Sequence, residues 1–160
     1  MGRKSTKSNK NIYQISREEI NLTREAASSL LETISADRIE KIESEKSYPH
    51  PDEILAMSKG YKKPTLCNYY CSNECPIGKV HVPEVHLKDL SQITLEMLAS
   101  LNTLNTEKNR LIEITVDGKI TKDEMADFER IQNELNQISL AVDSLKLWVQ
   151  QAIIDGTFKK

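Results

Sequence analysis

The C-terminal stretch constrains this chain most. Phe128, Leu135, Val142 and Val149 recur every seven residues, and Ile131, Ile138, Leu145 and Ala152 repeat that period three residues later. An apolar 3–4 repeat held over four heptads describes a helix that lays one stripe against a partner helix. The preceding stretch supplies one. Leu90, Met97, Leu104 and Leu111 are also spaced by seven, with Leu87 and Leu101 alongside, while Thr94 and Lys108 interrupt the second row. Between the two, Gly118 suits the position after a helix end, and Thr121 with Glu124 three residues on suits a capping box. Residues 87–155 therefore predict an antiparallel, coiled-coil-like helical hairpin, with 156–160 as a tail.

A third row, Leu140, Leu147 and Ile154 with Trp148 beside it, falls off this seam. One hairpin buries one stripe, so these four residues are the candidate dimer-interface residues. Docking onto the N-terminal part of the same chain is the other use of that row.

Composition fits helices throughout. The chain has 160 residues with five Gly and five Pro, fewer than a loop-rich all-β chain uses. The expected class is all-α. No apolar run reaches the roughly 18 residues that span a bilayer, so no membrane association is expected. The basic start lacks the apolar stretch of a secretory signal, and three Cys are too few for a disulfide scaffold. The expected compartment is the cytoplasm. No nucleophile elbow, phosphate-binding glycine loop or carboxylate pair with His stands out, so neither an enzyme nor a cofactor is expected. No small-molecule effector is identifiable.

The net charge of −2 conceals two halves. Residues 1–66 hold 12 Lys and Arg against 10 Asp and Glu, or +2; residues 67–160 hold 10 against 14, or −4. Residues 1–11 form a basic arm with Arg3, Lys4, Lys7 and Lys10 and no acid, and predict a disordered segment.

Residues 12–66 read as short helices. Ile12, Ile15, Glu19 and Ile20 mark the first. Thr23 is an N-cap for the second, whose face carries Ala26, Ala27, Leu30 and Leu31. Ser35 is an N-cap for the third, with Ile34, Ile39 and Ile42 inward. Pro51, Asp52 and Glu53 open a fourth that ends at Gly60. Small residues on the second helix allow close approach of the third, as a helix-turn-helix requires.

The stretch Leu22–Tyr61 resembles the helix-turn-helix domain of the phage-repressor-like regulators called the XRE or lambda-repressor-like family. Leu22-Thr23, Ala27, Ile34-Ser35, the segment RIEKIESEK and the P-x-P that follows it carry the likeness, which covers about residues 11–66. The usual Gly of the turn is absent, LLETIS is one residue longer than the common form, and Glu45 stands where Gly is usual. The resemblance implies that the third helix enters a major groove. Ala36, Asp37, Arg38 and Lys41 would then face base edges. Arg24, Ser35, Ser44, Lys46 and Ser47 would lie at the DNA backbone. The arm residues Arg3, Lys4, Lys7 and Lys10 would follow the backbone or enter a groove. Arg17 would be a structural ion-pair residue, with Glu43 as its partner.

Residues 67–86 read as an irregular connector holding Cys67, Cys71 and Cys75. Buried thiols are the leading reading. A zinc site completed by His81 is the rarer one, because the usual closely spaced Cys pairs are missing. The sequence as a whole points to a dimeric, sequence-specific regulator of transcription on double-stranded DNA, most simply a repressor. The alternative is an adaptor that uses the hairpin to bind another protein and reads no DNA sequence.

Overall fold

A computed structural model describes residues 9–157. Among them the chain is all-helical and has no strand. The helices are α1 Ile12–Glu19, α2 Arg24–Leu31, α3 Ala36–Glu43, α4 Pro51–Gly60, α5 Thr65–Asn73, α6 Gly78–His81, α7 Leu90–Thr115 and α8 Met125–Ile154. Two compact units result. One runs to Glu84 and resumes from Gln151; the other is Val85–Gln150. No helix among the described residues is long and apolar enough to cross a membrane.

In the first unit, cap chemistry sets where each helix begins. The side chains of Asn11, Thr23 and Ser35 accept hydrogen bonds from the N–H groups of Gln14, Ala26 and Arg38, as N-caps do. Pro51 starts α4, and the Glu53 carboxylate reaches back to the His50 N–H at 2.7 Å. The core between them contains Tyr13, Ala27, Leu31, Ile34, Ile39, Ile42, Ile54, Met57, Tyr61 and Leu66. Ala27 is fully buried, which lets α2 and α3 pack closely.

The segment read as an irregular connector is largely helical. Just before it, Leu66 enters the core, and from the segment itself Cys67, Tyr69 and Tyr70 pack against that core. The Tyr13 hydroxyl donates to Glu74 at 2.9 Å, and the Tyr13 and Tyr69 rings meet edge to face. Pro76, Pro83 and the cysteines gave the sequence an irregular look, but Thr65–Asn73 contains neither Pro nor Gly. Gly78 lets α6 return onto α5: a Cβ there would lie 2.0 Å from the Cys71 carbonyl oxygen.

Glu32 and Glu45 both have left-handed backbones, with φ of 57° and 60°. They lie in the α2–α3 turn and just after α3. Glu45 occupies the position where the family resemblance expects Gly. A left-handed non-Gly residue costs roughly 1–2 kcal/mol, and the greater freedom of Gly in the unfolded chain takes part of that back. Glu45→Gly should therefore raise stability by about 0.5–1 kcal/mol, read as a higher urea midpoint at unchanged slope. A lower midpoint would mean that the Glu45 side chain contributes more than its backbone costs.

In the second unit, α7 buries Ile93 and Ile114 and half-buries Met97, Ser100, Leu104, Glu107 and Leu111. This row contains the expected Met97, Leu104 and Leu111. Its other members are Ile93, Ser100, Glu107 and Ile114, whereas Leu87 and Leu101 are exposed. On α8 the covered row contains Ile131, Glu134, Ile138, Ala141, Leu145, Trp148 and Ala152, and Ser144 beside it is buried as well. The expected row Phe128, Leu135, Val142, Val149 lies one residue further round: Phe128 and Val149 are half-buried, and Leu135 and Val142 are exposed. The cause is the third apolar row. Leu147 is 6% exposed and Leu140 is half-buried, so the covered arc of α8 turns toward them. That corrects the dimer candidates: Leu147 is buried within the chain, Leu140 and Trp148 are half-buried, and Ile154 alone is exposed.

Arg110 pairs with Asp127 at 2.7 Å and Arg130 with Glu107 at 2.7 Å, tying the last turns of α7 to the first of α8. The Glu124 carboxylate accepts from the Thr121 N–H, which is half of a capping box, but the Thr121 hydroxyl donates to the same carboxylate instead of accepting the Glu124 N–H, and α8 begins after it, at Met125.

Candidate nucleic-acid interface

The outer side of α3 is built by exclusion. Ile39 and Ile42 are drawn into the core. Helical spacing then leaves Asp37, Lys41 and Ser44 on the opposite side, where Asp37 and Lys41 are exposed and Ser44 half-exposed. Ala36 is half-buried, and Ser35 is exposed at the helix start.

The inner anchor is Glu43, whose side chain is 1% exposed. The Arg17 guanidinium donates to both its oxygens, at 2.6 and 2.9 Å, and Arg24 donates to one of them at 2.8 Å. Arg17 also donates to the Leu22 carbonyl. The expected Arg17–Glu43 pair is therefore present and joins α1, the start of α2 and the end of α3. Desolvation opposes the Arg17 charge, yet the Glu43 carboxylate holds its pKa above the ordinary value. Arg24, expected at the DNA backbone, shares this carboxylate but keeps about a third of its side chain exposed.

Arg38 does not face outward. Its guanidinium donates to both Glu53 oxygens at 2.6 and 2.7 Å, to the Ser47 hydroxyl and to the Tyr48 carbonyl. Four of its five N–H donors are thus engaged, and a bidentate contact to guanine would have to break them. Burial works against the Glu53 charge, but Arg38 and the His50 N–H outweigh it and hold that carboxyl below its usual range. Arg38 is a clamp between α3, the following loop and α4. Its expected role at base edges is corrected accordingly, and Ser47, expected at a phosphate, is one of the clamp's acceptors. The sequence carried a signal for it, a carboxylate at Glu53 inside an acidic helix start, but nothing that brought the two together.

The other outward charges pair at the surface. Lys41 meets Asp37 at 2.7 Å and Lys46 meets Glu40 at 3.0 Å. The lysines lower the carboxyl pKa values of Asp37 and Glu40. Lys41 is 49% and Asp37 73% exposed. Exposed pairs of this kind are worth little and break easily, so Lys41 is free to move where Arg38 is not. Tyr48 lies beside the clamp and is 85% exposed. Of the basic arm, Lys10 pairs with Glu18 at 2.6 Å; Arg3, Lys4 and Lys7 lie outside the described residues.

Cys67, Cys71 and Cys75 are free thiols and only half-buried, which corrects the expectation of buried ones. Burial and the neighbouring Cys75 and Cys67 push the Cys71 thiol up, away from the thiolate that binds metal. Cys75 Sγ accepts the Gly78 N–H, and His81 is exposed on α6. No group of three or more His, Cys, Asp or Glu placed to hold a metal ion occurs among the described residues.

Comparison with family models, with curated proteins and with solved structures finds no match for this chain.

Proposed function

We propose that this chain is a sequence-specific DNA-binding regulator, most simply a repressor. It acts in the cytoplasm as a homodimer on paired half-sites, without cofactor or catalytic chemistry. In this reading α2 and α3 are the helix-turn-helix and α3 is the reading helix. The two long helices form the hairpin that joins chains. The observation that carries the reading is the division of α3: its apolar side is consumed by the core, while Lys41 and Asp37 remain outward in a pair that is easily broken. Lys41 would donate to guanine, Asp37 accept from a cytosine amino group, and Ala36 meet a thymine methyl. Ser35, Ser44, Lys46 and Arg24 would set register on phosphates. Arg38 would act indirectly, by holding the loop after α3.

The resemblance of Leu22–Tyr61 to repressor-like regulators supports the same reading. The balanced charge of the outer face implies that bulk attraction adds little, so affinity should come from geometry and from pairing two half-sites.

Lys41→Ala should weaken binding to a preferred duplex by about tenfold or more, in line with the 1–3 kcal/mol of a base contact, and change binding to random duplex much less. Fluorescence anisotropy with both duplexes measures this. Equal losses on the two would leave Lys41 a phosphate contact. The adaptor reading keeps one observation of its own, the same balanced charge on α3, and predicts no preferred duplex at all.

A further inference from the structure

The three cysteines take no part in the proposed reading of DNA, and the fold treats them unequally. All are free and half-buried. Cys67 and Cys71 both lie inside α5, four residues apart, and Cys67 packs against the core. Helical geometry holds the Cβ atoms of such a pair about 5–6 Å apart, whereas a disulfide needs about 3.5–4.5 Å. Closing that pair means unwinding a helix whose first turn carries the fully buried Leu66. Cys67 and Cys75, eight residues apart, are separated by about 12 Å along a helix axis, too far to bridge.

Cys71 and Cys75 have the same spacing in sequence as the first pair but a different setting. α5 ends at Asn73, and Glu74 leaves helical geometry at φ −121° and ψ −38°. The Glu74 and Cys75 N–H groups both donate to the Tyr70 carbonyl at 2.9 Å. Cys75 is thereby drawn round the end of α5 and belongs to neither α5 nor α6. The chain then returns. Gly78 sits against the Cys71 carbonyl too closely for a Cβ, and its N–H donates to Cys75 Sγ at 3.4 Å. The loop between Cys71 and Gly78 is thus closed on itself. It keeps Cys75 beside Cys71 without the fixed spacing of a helix. Pro76 and Ile77, which follow Cys75, are exposed, so solvent reaches this end of the loop.

We propose that Cys71 and Cys75 are a redox site, which hydrogen peroxide closes to a reversible disulfide while Cys67 stays reduced. Cys75 is the attacking sulfur, because it lies at the open end of the loop. Burial and the two neighbouring thiols keep Cys71 protonated, which suits the second step. The Cys75 thiolate attacks one peroxide oxygen. The O–O bond breaks, the sulfur is oxidised to a sulfenic acid, and the other oxygen leaves as hydroxide to take the Cys75 proton. The Cys71 sulfur then attacks the sulfenic sulfur. An S–S bond forms, the S–O bond breaks, and a second hydroxide leaves with the Cys71 proton. Two thiols and one peroxide give one disulfide and two waters. A dithiol reductant restores the thiols by exchange. Glu74 lies inside the bridged segment and accepts the Tyr13 hydroxyl of α1, so closure of the bridge is felt in the core.

The test is disulfide mapping of the 160-residue chain after hydrogen peroxide, folded and in urea, with remaining thiols alkylated. In urea the two four-residue spacings are equivalent, so both bridges should form in comparable amounts. In the folded chain the Cys71–Cys75 bridge should exceed the Cys67–Cys71 bridge by about tenfold or more, because a helix imposes strain on the latter. Cys67→Ser should leave the bridge unchanged, and Cys71→Ser should stop at a sulfenic acid on Cys75 that dimedone traps. Circular dichroism of each variant checks its folding. The same mixture in folded and unfolded chains overturns the site, as does a folded chain that forms no bridge at a dose that bridges the unfolded one. Bridging should also change the near-ultraviolet dichroism of the tyrosines, reversibly with dithiothreitol and less in Tyr13→Phe. An unchanged spectrum overturns the link to α1. None of these outcomes depends on whether α3 reads DNA, which duplex binding judges separately.

Discussion

Glu43→Ala should lower the unfolding free energy by about 3–5 kcal/mol, the cost of removing one partner from a buried ion pair. The carboxylate is almost fully enclosed and receives three guanidinium hydrogen bonds, two from Arg17 and one from Arg24. Removing it leaves Arg17, itself 7% exposed, with the more distant Glu18 carboxylate at 3.8 Å and without its close counter-ion. The effect should be strongly non-additive. Arg17→Met combined with Glu43→Leu should recover a large part of the loss, because apolar replacements of similar volume need no compensation. Urea unfolding of the two single variants and the double variant measures this. A loss below about 1 kcal/mol for Glu43→Ala would show that solvent reaches Arg17 readily, against the enclosed geometry.

Leu66→Ala should cost about 2–5 kcal/mol, the range of a fully buried leucine, and Ile39→Ala should cost a similar amount. Both side chains are 0% exposed. Ile39 belongs to the centre of the helix-turn-helix stretch, so its cost is expected on any reading. Leu66 is the sharper case. It lies in the first turn of α5, the helix that runs on into the segment whose cysteines and prolines suggest a loose connection. If α5 were peripheral, Leu66→Ala would be nearly silent in thermal unfolding. A loss matching that of Ile39→Ala places α5 in the same cooperative core.

The short helices were legible in the sequence because caps are local. Thr23 and Ser35 cap in place, and Ile34, Ile39, Ile42 and Ala27 are buried as their spacing implies. The Arg17–Glu43 pair came from the family resemblance rather than from spacing, since 26 residues separate its partners. Arg38 shows where local reading stops. Its place in α3 suggested an outward residue, but a long side chain goes to the nearest buried-edge carboxylate, and Glu53 is brought near by the loop. The second unit shows a different limit. Three apolar rows share α8, and periodicity alone identifies each of them. Which two are covered depends on packing, and the row with Leu140 and Leu147 displaced the one with Leu135 and Val142.

Whether α3 reads DNA sequence is decided by selection of bound molecules from a random duplex pool with the 160-residue chain. A DNA-reading dimer should enrich a two-fold-related site, with half-sites about one helical turn apart. In the Lys41→Ala chain, preference should relax at the guanine positions and persist elsewhere. A pool that emerges without enriched sequence, at a salt concentration where the chain still binds duplex, would exclude sequence reading by α3 and leave the adaptor role in its place.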